Sequence, residues 1–171
     1  MTIICLVAAA VLVGIDQLIK ILVINNMDLY QSISVIKFGN YKVFNLTYIL
    51  NDGAGWSLFS GKKYFLIIIT FIFLVGIIIY LLKFAKKSRF LCTALTLIIA
   101  GGFGNLIDRV FRNGNVIDYI ETKFMKFPIF NFADICVVIG GILFFIYILF
   151  LDNSDMKKDN VKKLSGGETN E

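Results

Sequence analysis

The stretch FNFADICVVIGGILFFIYILFL, Phe130–Leu151, decides the fold and poses the functional question. Its length is that of a helix crossing a bilayer, for which about 20 predominantly apolar residues suffice. Only Asp134, near its start, is charged, and every residue after it is apolar, aromatic or small. No lysine or arginine lies within seven residues of Asp134 on either side. An ionisable side chain in such a segment is costly, and is a functional candidate by default.

Working outward, three more segments have the same character: Thr2–Ile24, Tyr64–Leu82 and Phe90–Ile107. The chain is 58% hydrophobic, with a mean hydropathy of +0.81, too apolar for an ordinary soluble domain of 171 residues. The expected fold is therefore an α-helical integral membrane protein with four transmembrane helices. The first segment is expected to be retained rather than cleaved as a leader, because it lacks a basic start and carries Asp16, Gln17 and Lys20. Cys5, Cys92 and Cys136 form no close pair and histidine is absent, so no zinc site of Cys/His spacing is expected. The net charge of +5 comes mostly from lysines in short connections, which suits membrane orientation better than nucleic-acid binding.

The connection KFAKKSR, Lys83–Arg89, and the tail with Lys157, Lys158, Lys162 and Lys163 are the basic ones. Both are expected to be cytoplasmic, with both termini inside. The connections 25–63 and 108–129 then face outward. In the first of them, SVIKFGNYKVFNLTYIL has β-branched and aromatic residues around Gly39-Asn40, a hairpin signal. A small external sheet, a cradle at about 30–60, is expected there. Residues 1–151 read as one membrane-embedded domain, and 152–171 as a polar, disordered tail. On this topology Asp16, Lys20, the NDGAGWS run at Asn51–Ser57, GNLIDR at Gly104–Arg109, NVIDYIE at Asn115–Glu121 and FNFAD all converge on the outer interface.

Local charge separates four carboxylates. Asp16 and Lys20 share a helix face at i, i+4 and can pair. Asp108 adjoins Arg109 at a helix C-terminus and reads as a loop-anchoring ion pair. Asp118, in VIDYI, and Asp134 have no neighbouring base. Two such carboxyls at one depth raise each other's proton affinity, so that one stays protonated while the other ionises, as in aspartic proteases. A helix cap is the alternative for Asp134. The lack of histidine rules out Ser–His and Cys–His dyads and an HExxH site, and nothing specific favours a dyad of Ser57 with Lys20. Asn51, Asn105 and Asn131 can hold carboxylates through their amides or cap helices. Gly53 gives backbone access beside a substrate or a tight entry to the second helix. The pairs in Gly101–Gly104 and Gly140–Gly141 read as surfaces for close helix approach.

The set DQLIK, NDGAGWS, GNLIDR, VIDYI and FPIFNFAD, in this order, resembles the lipoprotein signal peptidase (signal peptidase II) family over about residues 10–150. The resemblance implies an aspartic endopeptidase of the bacterial cytoplasmic membrane, active at its outer face, without metal or other cofactor. It cuts diacylglyceryl-modified prolipoproteins just before the lipidated cysteine. It places the catalytic aspartates at Asp118 and Asp134. Supporting or substrate-contacting positions are Asp16, Lys20, Asn51, Gly53, Asn105, Asp108, Arg109, Asn131 and Ala133. Membrane lipid is an expected partner, nucleic acid is not, and the protein is expected to be a monomer. Gly55, Trp56 and Tyr119 depart from the family's usual Ala, Phe and Phe, changes expected to bear on substrate fit. A proton-coupled transporter would also use intramembrane aspartates, but it needs polar groups deeper in the helices. A purely structural membrane module would leave two acids without a role.

Overall fold

The computed structural model describes residues 1–39, 41–53 and 58–151. Its elements are α1 (Thr2–Asn26), β1 (Ser32–Phe38), β2 (Tyr41–Asn51), α2 (Lys63–Phe84), α3 (Arg89–Phe111), β3 (Val116–Thr122) and α4 (Phe132–Ile146), the last continuing as a π-helical turn at Tyr147–Leu151. Four helices are long and apolar enough to cross a membrane, as the apolar runs require. Each expected span lies within a helix, except that the fourth begins later. Phe130 is extended and bridges Ile120, and Asn131 is the N-cap of α4.

The helices are not equivalent. In the most apolar stretch of α3, 61% of residues are buried, against 17% in each of the other three. α3 is the hub, and α1, α2 and α4 all pack against it. The outer helices bury one stripe and turn the rest of their apolar surface outward, which is stable only in lipid. Close approach to α4 depends on glycine. A Cβ at Gly101 would lie 2.2 Å from the Ala133 carbonyl oxygen, and one at Gly140 would lie 2.8 Å from that of Ala94. Backbones packed this tightly gain dispersion contacts that larger residues would forbid. Gly141 faces open space, so of the Gly140–Gly141 pair only the first serves this contact.

The three described strands form one antiparallel sheet in the order β1-β2-β3. β1 and β2 arise where the hairpin was expected; Asn40 of its turn, Ala54–Ser57 and the 152–171 tail lie outside the described residues. The third strand extends the sheet expected between α1 and α2 with a segment from the connection between α3 and α4. That segment, VIDYIET, is rich enough in β-branched and aromatic residues to join it. It pairs Ile49 with Asp118 and Asn51 with Val116. Val23 and Met27 of α1 pack against Ile117 and Tyr119 of β3, seating the sheet on the end of the bundle.

Candidate active site

The site is assembled where β3, the N-terminus of α4 and the last turns of α3 meet. α4 opens with a capping box. The Asp134 backbone N–H donates to Asn131 Oδ1 at 3.0 Å, and the Asn131 N–H donates back to Asp134 Oδ2 at 3.0 Å. Asp134 is thus part of the cap, but at its third helical position, with Asn131 as the N-cap. This reciprocal arrangement fixes the carboxyl's direction. Its other oxygen, Oδ1, accepts from Asn105 Nδ2 of α3 at 2.7 Å.

Asp118 is held by two more amides. Asn131 Nδ2 donates to its Oδ1 at 2.7 Å and Asn51 Nδ2 to its Oδ2 at 2.9 Å. Asn131 therefore contacts both carboxyls, through its side-chain amide to one and its backbone to the other. Neither Asp118 nor Asp134 has an ion-pair partner among the described residues. Asp118 is 1% exposed. Burial, and next the negative charge of Asp134, push its pKa up to about 7, against the pull of the Asn51 and Asn131 amides.

The two carboxyls, Asn51, Asn105 and Arg109 line a cavity of about 420 Å³ whose other walls are apolar. Phe127–Phe130 form one wall, and Ile135, Val138 and Ile139 continue down α4 as another. A pocket of this size with few convergent polar groups fits a bound ligand segment.

Beneath the carboxyls lies a second layer. Asp16 and Lys20 pair at 2.9 Å along one face of α1, and Lys20 Nζ reaches Asp108 at 2.8 Å. Asp108 also pairs with Arg112 and accepts from the Gln17 side chain at 3.0 Å and the Ile117 N–H at 3.2 Å. The Asp108–Arg109 pairing expected from adjacency is not formed. Successive helical residues point in different directions, and Arg109 turns to the cavity, donating from Nη2 to the Gly53 carbonyl at 2.8 Å. Gly53 in turn donates its N–H to Asn51 Oδ1 at 3.0 Å. Ala133 is buried and donates its N–H to Asp16 Oδ1 at 3.1 Å.

All eleven positions singled out in the sequence therefore meet in one contiguous network. Sequence reasoning missed Gln17 and Arg112, which complete the coordination of Asp108. An i, i+4 spacing from Asp108 was the available signal for Arg112. Tyr119 is not among the residues that line the cavity. It is 4% exposed, and its hydroxyl accepts the Phe132 N–H at 3.2 Å, satisfying a free donor of α4's first turn. Phenylalanine would leave that donor open. Gly55 and Trp56 lie outside the described residues.

Known proteins match this chain over nearly its whole length. A family described as signal peptidase (SPase) II matches residues 8–150. The lipoprotein signal peptidase of Enterococcus faecalis is 43% identical over 150 residues, covering 88% of this chain and 89% of that one. The lipoprotein signal peptidase of Bacillus subtilis is 39% identical over 153 residues, covering 88% and 96%. A solved bacterial membrane enzyme, determined by the in meso method at 2.3 Å resolution, superimposes with a TM-score of 0.78 at 37% identity, covering 88% of this chain and 90% of that one. Fold and relatives together define a multi-pass bacterial membrane protease. The chain belongs to the signal peptidase II family.

Proposed function

We propose that Asp118 and Asp134 are the catalytic pair of an aspartic endopeptidase that removes the signal peptide from diacylglyceryl-modified prolipoproteins, cutting just before the lipidated cysteine. The observation that carries this reading is the pairing itself. A buried carboxyl on β3 and a half-buried one on α4 share the bridging residue Asn131 in an apolar-walled cavity, and among the described residues neither has an ion-pair partner.

The chemistry needs one carboxyl protonated and the other ionised. Asp118 keeps its proton to near neutrality and donates a hydrogen bond to the scissile carbonyl, drawing electron density from its carbon. Asp134, ionised, takes a proton from a water whose oxygen attacks that carbon. The C–O bond forms, the carbonyl π pair moves onto oxygen, and Asp118's proton follows it. Collapse of the tetrahedral species breaks the C–N bond: the proton held by Asp134 passes to the leaving nitrogen, and a hydroxyl proton returns to Asp118 as the carbonyl reforms. Amides already pointing at both carboxyls mean that little reorganisation is needed as charge moves.

Orientation and substrate fit complete the reading. With Lys83–Arg89 and the lysine-rich tail cytoplasmic, both termini lie inside and the carboxyl pair at the outer interface. A diacylglyceryl group anchored in the outer leaflet then holds the scissile bond at that depth. The apolar wall of α4 receives hydrocarbon, either acyl chain or signal helix. Residues 1–151 act as one peptidase unit, and since both carboxyls come from one chain, a monomer suffices. The test uses purified protein with a lipidated and a non-lipidated prolipoprotein, in EDTA, read by gel shift and mass spectrometry. Cleavage of the lipidated form alone, before the modified cysteine, is expected. Equal cleavage of both forms, or a cut elsewhere, overturns the reading.

A further inference from the structure

We infer that Lys20 is a positioning residue that locks the direction of the Asn105 side-chain amide, and thereby supplies Asp134 with its hydrogen-bond donor. The inference rests on the assignment of Asp134 to the catalytic pair.

An asparagine amide has two ends of nearly the same shape and opposite hydrogen-bonding character. Which end faces Asp134 is decided by what the other end meets. Asn105 Oδ1 accepts from Lys20 Nζ at 3.2 Å and from Asn131 Nδ2 at 3.1 Å, which leaves Nδ2 to donate to Asp134 at 2.7 Å. An ammonium can only donate. Turned over, Asn105 would set its NH2 against the Lys20 ammonium and the Asn131 NH2, and its oxygen against a carboxylate, three repulsive contacts.

The lock is rigid because Lys20 has no freedom. It is 0% exposed, and its three N–H groups meet three acceptors: Asp16 Oδ2 at 2.9 Å, Asp108 Oδ2 at 2.8 Å and Asn105. Those carboxylates are themselves tied down, Asp16 by the Ala133 N–H and Asp108 by the Ile117 N–H and Arg112. Asn131, the other bridging amide, needs no such lysine. Its Oδ1 faces the Asp134 backbone N–H, which fixes its direction by itself. Asn105 has no backbone donor on its oxygen among the described contacts, and the Lys20 ammonium together with the Asn131 amide takes that place.

A structural ion pair alone would make Lys20 matter for folding and not for turnover. Lys20→Met on its own strands the buried Asp16 carboxylate and leaves Asp108 only Arg112, and is expected to misfold. Lys20→Met with Asp16→Asn keeps the charges balanced, leaving Asp108 with Arg112. Against Asp16→Asn as reference, this pair should lose kcat per folded molecule by about 10- to 100-fold, the worth of one hydrogen bond to a charged group, with KM kept. In an Asn105→Ala background the same change should cost nothing further, since the lysine acts through that amide. Undiminished kcat in the compensated pair, or losses that multiply in the Asn105→Ala background, overturn the inference. Where the compensated pair does not fold, Lys20→Arg serves. A planar guanidinium cannot meet three acceptors from one nitrogen, so kcat should again fall with KM kept, and full kcat overturns the lock. Asp134→Asn, assayed alongside, separates the two readings. If it turns over normally, the catalytic pair is wrong; if it is inactive while Lys20 variants keep full kcat, only the lock is wrong.

Discussion

At the scale of single residues, what distinguishes Asp118 and Asp134 from Asp16 and Asp108 is the kind of neighbour each has. Asp16 and Asp108 are neutralised by Lys20 and Arg112; among the described residues, the donors to Asp118 and Asp134 are neutral. Asp118→Asn and Asp134→Asn should each lower turnover per folded molecule by about 10²–10⁴-fold or more. The double variant should be scarcely worse, because the pair acts as a unit. Near-normal turnover in either single variant would sink the mechanism. Asp108→Asn should instead cost about 3–5 kcal/mol of stability by leaving a buried charge short of its partner, while folded molecules still turn over; thermal unfolding beside activity separates the two effects. The raised Asp118 pKa, about 7, gives a pH dependence with a definite sign. Activity should fall above about pH 7 as Asp118 loses its proton. Asn51 donates to the ionised form, so Asn51→Ala should move that alkaline limb to higher pH; a shift downward contradicts the assignment. The folded state also binds this proton more tightly than the unfolded chain does. The associated stability is present below the ordinary carboxylate range and lost as pH rises through about 7. Melting curves of Asp118→Asn should lack that part of the decline.

At the scale of elements, the four helices were legible because bilayer thickness imposes one length and one composition on each. β3 was not, because seven residues without polar alternation gain strand identity only from a partner. Its partner β2 comes from the connection between α1 and α2, 65 residues or more away in sequence, as in the pairing of Val116 with Asn51. The glycines show the same division. GGFG and Gly140–Gly141 look alike as small-residue runs, yet only position in the bundle tells which residue is indispensable. Gly101→Ala would place a methyl 2.2 Å from a backbone oxygen of the α4 turn that carries Asp134. It should destabilise by about 1–3 kcal/mol or more and lower kcat with it. Gly141→Ala meets nothing within 4 Å, and should be neutral or gain up to about 1 kcal/mol from helix propensity. Melting temperatures in one detergent compare the two. Equal effects would mean that α3 and α4 do not pack as described.

At the scale of the whole molecule, the prediction concerns sidedness. Lys86→Cys and Lys126→Cys, in a background without Cys5, Cys92 and Cys136, place a thiol at an exposed position at each end of the bundle. An impermeant thiol reagent should label the second in intact cells and the first only after the membrane is opened. The reverse pattern would put the carboxyl pair on the cytoplasmic face, away from lipidated substrate. The sequence by itself determined that this chain spans a membrane, and which polar residues are too costly there to be incidental, because hydrocarbon penalises exposed charge and backbone wherever they fall. It also separated the carboxylates with a basic neighbour from those without, since pairing within a helix follows from spacing. Only the tertiary structure decided that Asp108 belongs to Lys20 and Arg112 rather than Arg109. Only it brought Asp118 and Asp134 under one asparagine, and only it gave Asn105 its direction. A hydrogen bond requires two groups within about 3 Å and in line, and for groups on different elements that distance is set by how helices and strands pack, which sequence spacing does not contain.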